Sequence, residues 1–246
     1  MIGILLDSPR IRASVLLCGA GLAAWTGAGW AKPSCRVDPA RSKVYRLELT
    51  VPATYCRQAG DEPDCRDFPK QTAIQLHGLW PNYQSGFPSG YCPQSECRVQ
   101  SDSGGRYCGY PALPEVYQTA WWAELKPYMA GTDKCLERHE WVKHGTCSPM
   151  HPGTYFHWAL NTTRRIATAL QPLTDQPLTR ARFDDLVRDA LPELAGSLRL
   201  KCKGRSVSSV YVLYEWGDRP SRPIPTRERG NHFGNCRDSF TLPTRP

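Results

Sequence analysis

Between residues 43 and 51 the chain alternates, with Tyr45, Leu47, Leu49 and Val51 on one parity and Val44, Arg46, Glu48 and Thr50 on the other. A period of two predicts a β-strand with one apolar face. Residues 72–76 read as a second strand with His77 at its end, where a side chain is held rigidly yet can open into a cleft. Residues 207–216 have a strand's composition. Val116, Trp121, Leu125 and Tyr128 recur at roughly helical spacing, so a helix is expected over 113–129, with Trp121 and Trp122 as core packing. Further helices are expected over 137–146, 154–170 and 179–190. Residues 56–68, rich in proline and aspartate, and 84–109, rich in Gly, Ser, Pro and Cys, read as irregular connections, and a Pro/Arg-rich tail from 219 closes the chain. Strands and helices without regular alternation point to an α+β fold, an antiparallel β-sheet core packed with several α-helices.

A chain of 246 residues with 40% hydrophobic content can build one good-sized core. The first 31 residues are set apart: Arg10 and Arg12 precede an apolar run over 13–24 and small residues over 27–31. This is the pattern of a cleaved secretory signal, leaving 32–246 as a single domain. An uncleaved anchor or a disordered tail is the alternative, but as a membrane span the run is short and interrupted by glycine. Leu17 before Cys18 argues against a lipoprotein site. Of 11 cysteines, Cys18 leaves with the signal, and the even remainder fits a disulfide-stapled protein of an oxidising compartment, secreted or periplasmic. No Cys-x-x-Cys pair occurs, against a zinc ribbon or a thioredoxin-like site. The net charge of +8 becomes +7 once two arginines and one aspartate leave with residues 1–31. Such a surface favours a polyanion, though a merely solvated basic surface is as good a reading.

Chemistry concentrates in two segments, His77-Gly78-Leu79-Trp80-Pro81 and His139-Glu140-Trp141-Val142-Lys143-His144-Gly145-Thr146-Cys147, which hold three of the six histidines. Two histidines from separate segments, with a carboxylate and a lysine beside them, are the parts of a metal-free acid–base phosphotransfer site. Taken singly, His77 would read as structural and Glu140 with His144 as a helix-surface pair. Together they make the catalytic reading the stronger one. Trp141, Gly145 and Thr146 read as packing and helix-ending residues. Trp80 can stack on a base or wall the site, with Tyr83, Phe87 and Tyr91 following it. Asn161-Thr162-Thr163 matches a glycosylation acceptor inside an expected helix and is taken as chance.

The two segments resemble the paired active-site motifs of the ribonuclease T2 family, secreted, disulfide-bonded, base-nonspecific endoribonucleases, and more its bacterial members. The resemblance implies catalytic roles for His77, His139, Glu140, Lys143 and His144. His144 would be the general base and His77 the general acid, exchanging roles when water opens a 2′,3′-cyclic phosphate. Glu140 and Lys143 would stabilise the transition state and His139 would hold the phosphate. Trp80, Asn82 and Tyr83 would bind substrate, Asn82 standing where many members have aspartate. The resemblance also pairs Cys202 with Cys236 and ties Cys147 to a cysteine in the loop after the first motif.

A zinc hydrolase fails on spacing, because His139 and His144 are five apart rather than four. A secreted binding or toxin-like protein with a dead site is opposed by the complete catalytic set. The expectation is therefore an endoribonuclease with single-stranded RNA as partner, no metal or cofactor, no action on DNA, no membrane association after signal cleavage, and a monomeric state.

Overall fold

The alternation over 43–51 becomes an interior strand of a six-stranded sheet in the computed structural model, which describes residues 43–60, 62–83, 107–227 and 230–246. The strands are β1 (Lys43–Thr50), β2 (Gln75–Tyr83), β3 (Pro177–Thr179), β4 (Arg199–Lys203), β5 (Ser206–Glu215) and β6 (Ser239–Thr241). They run in the order β2-β1-β5-β6-β3, with β4 also pairing β5. Every pairing is antiparallel except β5 with β6, which meet in parallel at Ser206 and Thr241. The fold is α+β, as expected. The reading of residues 1–31 as a signal lies outside the described residues.

Tyr45, Leu47 and Leu49 of β1, Leu76 and Leu79 of β2, and Val210 and Val212 of β5 form one apolar face. The helices are α1 (Pro52–Ala59), α2 (Pro114–Tyr117), α3 (Ala120–Leu125), α4 (Leu136–Lys143), α5 (Pro152–Leu170) and α6 (Arg180–Ala190). α5 buries Phe156, Ala159, Leu160, Thr163, Ile166 and Leu170, a stripe at the 3.6-residue period. α6 begins where Thr179 accepts a hydrogen bond from the Arg182 amide.

Several expectations change. β2 runs on through the first motif to Tyr83, so His77 lies within the strand and not at its end. Pairing with β1 holds the segment extended despite its glycine and proline, and its edge position tolerates Pro81. The helix expected over 113–129 is broken into α2, α3 and a 3₁₀ turn at Lys126–Tyr128. Thr119 is extended at the first break, and Pro127 lies in the final turn. The connection expected over 56–68 holds the end of α1 and a 3₁₀ turn, Pro63–Cys65, and the tail supplies β6. Disulfides join Cys56 to Cys65, Cys108 to Cys135 and Cys202 to Cys236, the last as the resemblance implied. Cys147 is also disulfide-bonded, and the loop where the resemblance puts its partner lies outside the described residues.

One contact fastens β2 to the helical layer. The buried hydroxyl of Tyr155 on α5 donates to the Leu79 carbonyl and accepts from the Leu79 amide at 3.3 Å. Both groups sit on an edge strand, where the sheet alone leaves backbone groups unpaired. Tyr155→Phe is expected to cost about 1–3 kcal/mol by stranding them, read as a lower urea midpoint at unchanged slope.

Candidate active site

β2 delivers its side chains through a bulge. Gly78 stands opposite Glu48 and Leu76 opposite Leu49, so His77 is the extra residue. Leu76 and Leu79, three apart, can both face the core. His77 and Trp80, also three apart, both reach the other side, where their rings meet edge to face at 5.4 Å. Gly78 shares that side. A Cβ there would collide with Glu140 Oε2 and Trp80 Nε1.

The second motif arrives on α4. Cys135, in left-handed geometry at φ 59°, starts the helix and is tied to Cys108. Arg138 Nη1 donates to the carbonyls of Cys108 (3.0 Å) and Tyr110 (3.2 Å), and its Nε donates to the Tyr117 hydroxyl (3.2 Å). That hydroxyl in turn donates to the buried Glu137 at 2.9 Å. The helix ends at Lys143, three residues before the expected end, and Gly145–Cys147 forms a 3₁₀ turn. Gly145 leaves room for the Trp141 indole, which packs edge-on against Tyr155 at 5.5 Å. Thr146 donates to the Val142 carbonyl at 3.0 Å. These three residues do the packing and helix-ending work expected of them.

Glu140 joins the two motifs. It is 1% exposed, accepts from Trp80 Nε1 at 2.6 Å and lies 3.6 Å from His77 Nε2. Burial raises its proton affinity above the usual carboxylate range. His77, the indole N–H and Lys143 pull the other way, and Glu48 adds to the rise. The His77 side chain is 43% accessible, and its Nδ1 is 3.3 Å from Thr50 Oγ1. His144 is buried with its ring 5.3 Å from Trp80. The indole thus stands between two imidazoles that belong to different elements. His139 meets His144 edge-on at 6.5 Å and packs against Tyr107 at 4.4 Å. Beside His77, His139 and Glu140 a cleft of about 320 Å³ opens, bordered by Thr50, Tyr55 and Lys134. Lys134 is held by Glu62 (3.0 Å) and Asp64 (2.8 Å).

His77, Trp80, His139, Glu140 and His144 are therefore brought together, with Lys143 half-buried at the helix end and electrostatically coupled to Glu140. Asn82 and Tyr83 lie within β2 and are buried, the Asn82 amide oxygen accepting the Tyr83 N–H at 2.9 Å. Phe87 and Tyr91 lie outside the described residues. Thr50, Tyr107 and Lys134 were not anticipated. Thr50 ends an alternating strand, a position that can point to a site, whereas Tyr107 and Lys134 carry no local signal. Among the described residues no group of three or more His, Cys, Asp or Glu side chains is placed to hold a metal ion.

The Ribonuclease T2 family model matches residues 42–215. A ribonuclease of Aeromonas hydrophila is 31% identical over 135 residues, 54% of this chain and 49% of the relative. Ribonuclease I of Escherichia coli is 24% identical over 230 residues, 80% of this chain and 85% of the relative. The chain thus spans about half the length of the Aeromonas relative and most of the Escherichia coli one. Among solved structures, RNase NT in complex with 5′-AMP matches with a TM-score of 0.54 at 20% identity, over 82% of this chain and 98% of that one. Ribonuclease MC1 from bitter gourd seeds matches with a TM-score of 0.56 at 19% identity, over 81% and 99%. Identities this low speak to the fold.

Two outcomes are expected from this geometry. Gly78→Ala should keep the fold but push the Glu140 carboxylate from the indole, read as an upfield move of the Trp80 Nε1–H resonance. Glu140→Gln should raise the urea midpoint at pH 7. The native carboxyl holds its proton to higher pH than the unfolded one, so its destabilisation is absent below about pH 4 and grows as pH rises toward the native pKa. A gap between variant and wild type that stays constant from pH 4 to 7 would remove the charge of Glu140 as its cause.

Proposed function

The chain belongs to the ribonuclease T2 family, and from that premise we propose that it is an endoribonuclease that cleaves single-stranded RNA by transphosphorylation. The observation that carries the reading is the meeting of His77, His144 and Glu140 around one indole. RNA brings its own nucleophile, the 2′-hydroxyl beside the scissile phosphorus. The reaction then asks for a base, an acid and positive charge on the phosphoryl oxygens. Imidazoles suit both proton transfers because their ordinary pKa, about 6.5, lies near working pH.

In this reading His144 takes the 2′-hydroxyl proton and His77 protonates the departing 5′-oxygen. The products are a 2′,3′-cyclic phosphate and a free 5′-hydroxyl. Water then opens the ring to a 3′-phosphate with the two roles exchanged. The accessibility of His77 fits an acid that must reach a leaving group, and the burial of His144 fits a base kept from bulk water. Lys143 offers a compact positive charge to a phosphoryl oxygen. Glu140, whose burial raises its proton affinity, can share a proton with such an oxygen while fixing the indole. His139, at the cleft beside them, holds the phosphate, and Trp80 forms the substrate side, whereas Asn82 and Tyr83 are buried within β2. No proton transfer in this scheme calls for a metal or cofactor, and DNA is inert because it lacks the nucleophile. Secretion or export to the periplasm suits the disulfides, and the monomer suffices for the site.

His77→Ala and His144→Ala are each expected to lower kcat by about 10²–10⁴ with far-UV dichroism unchanged. The reaction is tested by incubating the oxidised protein with matched RNA and DNA oligonucleotides in excess EDTA and identifying product ends by mass spectrometry. Cyclic-phosphate ends from RNA alone are expected. A fully active His144→Ala protein would sink the mechanism.

A further inference from the structure

The sheet face turned away from the main core carries a row of cations that the proton-transfer scheme does not use. β4 alternates Leu200 and Cys202, both buried, with Arg199, Lys201 and Lys203, and the two lysines are exposed. Among the described residues neither lysine has a carboxylate partner. Across the register Lys201 faces Ser209, and Ser209 faces Thr50, the neighbour of His77 Nδ1. Arg199 faces Tyr211, and Tyr211 faces Glu48. The row therefore runs across the strands into the candidate active site. Three strand spacings separate β4 from β2, roughly 14 Å.

Charge is concentrated along this row. Arg46, Arg199 and Lys201 surround the Tyr211 ring at 4.1, 5.9 and 5.4 Å from its centre. Arg46 also lies 5.7 Å from the Trp80 ring, which makes the row continuous with the indole between the histidines. Glu48 pairs with Arg46 at 2.5 Å, while the Nε of Arg199 is buried without a hydrogen-bond partner. Like charges gathered this closely repel, and an anion laid across them relieves the repulsion. Alternate residues of a strand stand about 7 Å apart, close to the separation of successive phosphates in an extended single strand.

We propose that this face is an extended RNA-binding platform, on which the strand leaving the scissile phosphate crosses β1 and β5 and sets flanking phosphates against Arg199, Lys201 and Lys203. The inference rests on the ribonuclease reading and adds to it a preference for substrates longer than a dinucleotide. Charge complementarity and continuity with the site select the occupant. Contacts to phosphates carry no base information, in keeping with weak base preference.

The test is the double variant Lys201→Glu/Lys203→Glu, whose positions are exposed. Three measurements are made against wild type: anisotropy binding of an uncleavable 2′-O-methyl RNA of about twelve nucleotides, kcat/KM on the unmodified oligonucleotide, and kcat/KM on a dinucleoside monophosphate. Binding and kcat/KM on the long substrate should each fall about tenfold, and the slope of log affinity against log salt should shrink by about 1.4 for two lost phosphate contacts. The dinucleotide, too short to reach β4, should turn over as before. Wild-type behaviour on the long substrate, or an equal loss on both, would overturn the platform. Lysine-dependent binding by a wild-type protein that cleaves neither substrate would support the platform and overturn the ribonuclease reading instead.

Discussion

The buried carboxylate of Glu140 is the point on which the site depends. Taking a carboxylate out of water is costly unless donors or cations replace the water, and here the replacements come from another element: the Trp80 indole N–H and the His77 imidazole, both on β2. One group therefore sets the distance between strand and helix and turns two side chains toward each other. The space it occupies is the space a side chain at position 78 would need. The glycine of the first motif is thus explained by the glutamate of the second.

Holding that carboxylate in place falls to the frame around it. α4 is anchored by the Cys108–Cys135 bridge and by Arg138, which spans two carbonyls and a tyrosine hydroxyl. β2, an edge strand, is anchored by pairing to β1 and by the Tyr155 hydroxyl. The protein's stability is lower than its packing would allow, because a carboxylate with raised proton affinity favours the unfolded chain at neutral pH. That cost accompanies the same burial that gives the carboxylate an altered proton affinity beside a phosphate site.

The sheet divides its work by face. One face is apolar and packs on α5; the other carries the His77 imidazole at β2 and cations toward β4. The alternation of β-strand side chains makes this division along β1, β4 and β5, and the bulge at His77 sets it on β2.

Much was legible in the chain because it is local. The alternation of Tyr45, Leu47 and Leu49, the stripe along α5, and the two motifs with their spacing are properties of short windows, and they determined the fold class and the candidate residues. The site's actual geometry was not legible. The bulge at His77 exists only against β1, and a window of single sequence cannot show which partner residue is skipped. The break at Thr119 and the early end of α4 were set by packing against the rest of the fold, over a helical spacing that looked continuous. Lys201 and Lys203 carry no local signal in the chain; strand pairing lays them on the row leading to Thr50. Sequence periodicity encodes which face a residue takes within its own element; which faces meet is decided by long-range pairing, whose partners lie far apart along the chain.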